Sequence, residues 1–197
     1  KSTLVQSEDE AILATKTIGK AVALKVQSPD IPHKSQAGGV VLNIDSHTDV
    51  GQQFKSMQST ISQNFPKAII DGFLIQEMSE PGLEIILGIN NREGFGPILM
   101  VGFGGIHVEK TRDVAFAPVP LGEDDCNQLL KKLKGSVLLD ADKYDVPALI
   151  DLMTSLSNFA ESTSDYIGEI DLNPVLVHSK GQGVTVIDAL MLKHQKH

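Results

Sequence analysis

Between residues 83 and 119 three apolar runs follow one another: LEIILGIN (83–90), PILMVGF (97–103) and DVAFAPV (113–119). Each has the length of a strand rather than of an ordinary helix, and turn-forming residues separate them. A stretch of this kind must be sheet. Helices are announced differently. Ser7 and Glu10 form a capping box ahead of AILATKTIG, with Gly19 as the stop. Ser46 and Asp49 repeat the box before Val50, Phe54, Met57 and Ile61, which recur at helical spacing. Strands are expected at AVALKV, at VVLNI (40–44) and at AIIDGFLIQEM (68–78). Two further helices are expected within about 122–134 and from Asp145, where Pro147 falls in the first turn. IGEIDLNPVLVH (167–178) and VTVIDALML (184–192) read as two closing strands. The pattern predicts an α+β chain (helices with largely segregated sheets, within the wider α/β class). A smaller helix-rich lobe would span 1–75 and a larger, strand-rich lobe 76–197, with a hinge near SEPG (79–82).

Several function classes drop out. The formal charge is −8, from 25 acidic and 17 basic residues, where a nucleic-acid binder usually shows a basic face. Aromatic residues make up 5% and Trp is absent, so base-stacking platforms are not expected. No apolar run reaches the roughly 18–20 residues of a membrane span. The opening KSTLVQSEDE lacks a signal-peptide core, and the expected location is cytoplasmic. The single cysteine, Cys126, excludes an internal disulfide and a cysteine-based zinc site, and reads as an inert helix residue.

Four features could carry chemistry. Lys25 sits in an otherwise apolar strand, where an ammonium is costly to bury unless an anion meets it. It is either turned to water or a phosphate ligand. Glu169, Asp171 and Asn173 alternate, so all three point to one face of a strand. Such an oxygen set suits a hard cation such as Mg2+. Asp188, in the apolar VTVIDALML, could face Asp171 or Asn173 across a hairpin. A polar solvent face is the plainer alternative. Gly38-Gly39 and the glycines of VGFGGIHVE could offer backbone N–H groups to phosphate, although neither stretch is a Walker loop or a dinucleotide fingerprint. His33 lies in SPDIPHKSQAGG, a loop stiffened by Pro29 and Pro32 just after Lys25. If that lysine holds phosphate, a neighbouring imidazole could accept a phosphoryl group. Of the other histidines, His47 and His178 lie beside turn residues, His107 near a strand, and His194 and His197 in a polar tail.

ALKVQSPDIPHKSQAGGV, FLIQEMSEPGLEIILG, FGPILMVGFGGIHVE and EIDLNPVLV, in this order, resemble the ATP-grasp domain of the ADP-forming acyl-CoA synthetases, relatives of the succinyl-CoA synthetase β subunit. The resemblance runs from about residue 4 to 192. It implies an ATP-grasp fold, two α+β lobes clasping a nucleotide. It also implies ATP/ADP and Mg2+ as cofactors. Lys25 would contact the ATP phosphates. Gln76, Glu77 and Met78 would form the inter-lobe hinge that reads adenine, and Glu84 would face the nucleotide at the ribose. Asn173 and Asp188 match the Mg2+ pair, with Asp171 beside them. Asp171 would engage a phosphohistidine, and His33 matches the family's second, transiently phosphorylated histidine. The implied activity is that of an acid–thiol ligase, interconverting acyl-CoA, ADP and phosphate with acid, CoA and ATP. CoA-binding and phosphohistidine-bearing domains would be the partners, on the same chain or another subunit.

This sequence departs from the family pattern at Gln36, commonly acidic, at Asp142-Lys143, where Arg-Gly is usual, and at Ala117, where a base is frequent. A further helical stretch usually precedes the region, so the resemblance implies a domain excised from a longer protein. The alternative from another class is a regulatory ATP-grasp-like region of a protein acetyltransferase, without turnover. A carboxylate–amine ligase of the same fold would leave the PHKS loop without a purpose.

Overall fold

The computed structural model describes residues 1–45, 47–92, 94–105 and 113–194. Ser46, His107 and His197 therefore lie outside the described residues. The chain divides into two compact units, Lys1–Ser79 and Glu80–His197.

The first unit is a four-stranded antiparallel sheet in the order β1-β4-β2-β3, with two helices. Its strands are β1 (Ser2–Val5), β2 (Val22–Gln27), β3 (Val40–Ile44) and β4 (Gly72–Glu77); its helices are α1 (Glu8–Ile18) and α2 (His47–Asn64). Helix α1 forms where its local signals place it. Ser7 Oγ accepts the Glu10 N–H at 3.3 Å, Glu10 accepts the Gln6 N–H at 2.7 Å, and Gly19 ends the helix at φ +71°. Val22, Leu24 and Val26 are completely buried on one side of β2, with Ala11 and Ala14 of α1 and Val50, Phe54, Met57 and Ile61 of α2 in the same core. Phe54 and Phe73 meet at a centroid distance of 4.6 Å with rings tilted by 58°.

In two places the first unit differs from the pattern reading. Strand β1 was not foreseen. Strand β4 begins at Gly72 rather than 68, because the preceding backbone bonds elsewhere. Ile69 N–H donates to Asp30 Oδ2 (2.7 Å) and Asp71 N–H to the Gln27 carbonyl (2.8 Å).

The second unit is a six-stranded antiparallel sheet, β10-β8-β5-β6-β7 with β9 paired to β8. Strand β5 (Leu83–Arg92), β6 (Gly96–Phe103) and β7 (Val114–Pro118) confirm the three apolar runs. Helices α3 (Glu123–Lys131) and α4 (Val146–Ser162) follow, then β8 (Ile167–Val177), β9 (Val184–Val186) and β10 (Ala189–Lys193). The run expected as one closing strand is thus two, broken at Ile187-Asp188. One core unites Ile85, Leu87 and Ile89, Leu99 and Val101, and Ile170 and Leu172 with Leu129 of α3 and Leu149 and Met153 of α4. Cys126 is fully buried there, its Sγ 3.6 Å from Thr154 Oγ1, and burial pushes its thiol pKa up. Among the described residues no helix is long and apolar enough to cross a membrane.

Candidate functional site

Alternation along β8 turns Ile170 and Leu172 into the core and leaves Glu169, Asp171 and Asn173 on the opposite face. The register with β5 then slips. Ile85 pairs with Val175 but Leu87 with Leu172, so Asn173 and Pro174 together oppose Ile86. This is a bulge, a device that re-aims side chains and often borders functional sites. Past it the core-facing positions change parity, from 170 and 172 to 175 and 177. Asn173 also donates its N–H to the Asp188 carbonyl at 3.1 Å, in the break between β9 and β10, so the two residues stand side by side. Asp188 Oδ1 accepts the Ala189 N–H at 3.1 Å. Asp171 lies opposite Gly88 on β5 and Leu190 on β10.

Asp171 and Asn173 edge a cleft of about 670 Å³ on the face of the sheet away from α3 and α4. Glu169, Asp171 and Asn173 form its polar side, Ile86, Ile98, Met100 and Phe116 its apolar side, and Asn90 and Arg92 one end. Asn173 is exposed and Asp171 and Asp188 are half-buried. The donor set, one amide and two carboxylate groups, is hard oxygen chemistry and fits Mg2+. Among the described residues no three His, Cys, Asp or Glu side chains form a metal-holding group. A cation here would therefore draw, besides the carboxylates, on the Asn173 amide and on oxygens of its ligand. Sequence reading missed the Asn90 and Arg92 end and the apolar side. The alternation of LEIILGIN placed Ile86, Gly88 and Asn90 on one face, and Pro174 inside a strand marked the bulge, but the pairing of β5 with β8 was needed to join them.

Glu84 is exposed on β5 and lines a different cavity, of about 480 Å³, with Phe103, Gly104, Gly105, Leu138 and Tyr144. The Glu84 carbonyl accepts the Gly104 N–H at 2.7 Å, and a Cβ at Gly105 would stand 2.9 Å from Glu84 Oε2.

The remaining candidates belong to the first unit. Lys25 is mid-strand on β2, between Val40 of β3 and Leu74 of β4, and is 4% exposed. It alternates with Leu24 and Val26 and so points away from the core of α1 and α2. His33 is exposed on a tightly held loop. Ile31, two residues earlier, is buried in the core, and the His33 carbonyl accepts the Ala37 N–H at 3.2 Å. Gly38 and Gly39 donate their N–H groups to the carbonyls of Ser35 (3.2 Å) and Lys34 (2.8 Å). Both amides already close this turn, so offering them to a phosphate would require it to open. Gly38 takes φ +73°, and a Cβ on Gly39 would run into Val26 Cγ1, which is why glycines stand here.

Gln76, Glu77 and Met78 end β4 and lead out of it. Glu77 N–H donates to the Lys1 carbonyl (2.8 Å) and Met78 N–H to the Ala21 carbonyl (2.9 Å). The Glu77 carboxylate bonds Lys20 Nζ at 2.8 Å and the terminal ammonium at 3.3 Å, and the Lys20 bond first and the ammonium second hold its pKa below the ordinary value. His178 serves the structure: it is 6% exposed, with Nε2 2.8 Å from Thr185 Oγ1 and Nδ1 3.5 Å from the Pro81 carbonyl.

Comparison with known proteins agrees with this architecture. The model of the ATP-grasp domain family matches residues 1–192. The β subunit of acetate–CoA ligase [ADP-forming] II of Pyrococcus furiosus is 36% identical over 193 residues, 96% of this chain and 82% of that one. The 4-hydroxybutyrate–CoA ligase [ADP-forming] of Nitrosopumilus maritimus is 38% identical over 191 residues, 95% of this chain but only 27% of that one. This chain thus spans about a quarter of the longer relative. Among solved structures, the dinucleotide-forming acetyl-coenzyme A synthetase 1 of Ca. Korarchaeum cryptofilum, in complex with coenzyme A, Ca-AMPCP and HgCl+, superposes with a TM-score of 0.89 at 35% identity, over 98% of this chain and 85% of that one. A chain that carries this fold, these motifs and this identity along nearly its whole length belongs to the ATP-grasp family, in the branch that forms the ATP-grasp domain of ADP-forming acyl-CoA ligases.

Proposed function

We propose that this chain is the nucleotide-handling domain of an ADP-forming acyl-CoA ligase, binding Mg-ADP or Mg-ATP and moving a phosphoryl group between a phosphohistidine and ADP. The observation that carries the reading is the bulge at Asn173, which sets Asn173 beside Asp188 and next to Asp171 at the edge of a 670 Å³ cleft. Phosphoryl transfer asks little covalent chemistry of a protein; it asks for cationic charge on the phosphate oxygens, an aligned acceptor and exclusion of water. Asn173, Asp188 and Asp171 would hold Mg2+, which supplies charge neutralisation on the phosphate oxygens. Lys25, 4% exposed on β2, would bring a second positive charge. His33 would take the phosphoryl group in transit, on a loop whose geometry is set by Ile31 and the Gly38-Gly39 turn. In the whole ligase the reaction would interconvert acyl-CoA, ADP and phosphate with acid, CoA and ATP, with CoA binding and the principal phosphohistidine on other domains or a partner subunit.

Calorimetric titration of the chain with Mg-ADP tests the core of this reading. Saturable binding is expected, weakened about 10- to 100-fold in Lys25→Ala, the effect of losing one charge-assisted hydrogen bond. No binding by the native chain, or equal binding by both, overturns it. In the reconstituted ligase, His33→Ala should abolish phosphoryl passage to ADP; undiminished passage removes His33 from the chain of transfer.

A further inference from the structure

The cleft on the second unit has two ends, and only one is explained by the nucleotide. Asn173, whose N–H bonds the Asp188 carbonyl, marks the first. At the other, where β5 ends at Arg92 and β6 begins at Gly96, Arg92 and Phe95 line the cleft. Asn173 and Glu169 are four residues apart on β8, which at a strand rise of about 3.3 Å per residue separates the ends by roughly 13 Å.

The far end is built around Arg92. Glu169 lies opposite Asn90 in register, and Arg92 donates its Nε–H to Asn90 Oδ1 at 3.2 Å. With Nε engaged, the guanidinium plane is set and the terminal nitrogens are the part that meets a ligand. Behind it, Phe95 N–H donates to the Arg92 carbonyl at 3.0 Å, and Gly94 and Gly96 take φ +84° and +72°. Among the described residues that line the cleft, Arg92 is the one base, against two acids, Glu169 and Asp171. An anionic ligand entering from this side meets two carboxylates that repel it and one guanidinium that suits it. Planar, forked and permanently charged, that group matches a phosphoryl group's oxygens two at a time.

We infer that Arg92, oriented by Asn90, binds the transferable phosphoryl group of the incoming donor at the far end of the cleft. The inference rests on the proposed function, in which a phosphohistidine gives its phosphoryl group to ADP. In that step the P–N bond breaks, its electron pair stays on the ring nitrogen, and a P–O bond forms to the terminal oxygen of ADP. The imidazole departs neutral because its other nitrogen carries a proton, which Asp171 accepts as a hydrogen bond. Asp171 thus serves the ring and Arg92 the phosphoryl oxygens. The fork would hold the group at the far end on its way to ADP and offset the repulsion from Glu169.

The test uses phosphoramidate, the smallest P–N phosphoryl compound, titrated into protein already saturated with Mg-ADP. Arg92→Gln should leave Mg-ADP affinity within about twofold and weaken phosphoramidate about tenfold or more, with Arg92→Lys recovering part of the loss. If ATP forms during the titration, the same ranking is read from the KM for phosphoramidate. Melting curves of both variants should match the native chain, since Arg92 is exposed at a turn. Unchanged phosphoramidate affinity in Arg92→Gln overturns the inference, and so does an equal loss of Mg-ADP affinity, which would make Arg92 a nucleotide ligand. Native protein that binds Mg-ADP but not phosphoramidate overturns the inference and spares the nucleotide reading. Failure to bind Mg-ADP at all overturns that reading itself.

Discussion

Lys25 and Asp171 both sit mid-strand, each on the sheet face opposite its unit's helices, yet Lys25 is 4% exposed while Asp171 is half-buried at the edge of an open cleft. The first unit takes its charge into the protein, whereas the second leaves its charges where solvent shares the cost. The acids of β8 cost little, and their alignment rests on a bulge. The loops differ in the same sense. The His33 loop is locked by close packing at Gly39, whereas at Gly94 and Gly96 an added Cβ would meet nothing within 4 Å.

The sharpest way to break the comparison is to weaken each core by itself. Leu24→Ala and Leu87→Ala should each cost about 2–5 kcal/mol, the usual range for a fully buried leucine. Hydrogen exchange should show lost protection mainly in the unit that carries the substitution; equal loss in both would mean that the two units unfold as one. A smaller effect separates the loops. Gly39→Ala forces a Cβ against Val26 and should cost about 1–3 kcal/mol. Gly94→Ala meets only the strain of a positive φ and should cost about 1 kcal/mol. Denaturant midpoints decide, and the reverse ranking would mean that the His33 loop yields easily. The smallest effect is on pH. Because Glu77 has a depressed pKa in the folded chain, its contribution is present above its unfolded pKa and fades as pH falls through the depressed value. Glu77→Gln should therefore narrow the fall in Tm on acidification from about pH 7 to about pH 3. An unaltered acid profile would remove Glu77 from the account of the first unit's stability.

What could be read in advance divides by range. Helix α1 was legible because Ser7, Glu10 and Gly19 all lie within or beside it. The three runs of β5, β6 and β7 were legible because strand-length apolar segments have few other uses. Strand β1 was not, since STLV becomes a strand only by pairing with residues 73–76. Nor was the start of β4, which depends on Asp30 capturing the Ile69 amide. VTVIDALML looks continuous, and its break at Asp188 follows from a bond to Asn173 on another strand. The same holds for the candidate site: its acids announced themselves by alternation, while Arg92 had no local signal beyond a charge near a turn.

The pairing of β1 with β4 also bears on the order of assembly. Ser2 to Val5 bond to Gln76 back to Phe73, so an early segment waits for a late one. During synthesis β2 and β3 can meet as soon as the His33 loop has formed, but β4 must then enter between β2 and β1. Until it arrives, one flank of β2 stands open beside an unplaced apolar strand, the kind of edge that other chains can join. A ribosome pausing between the codons of α2 and β4 would lengthen that exposure.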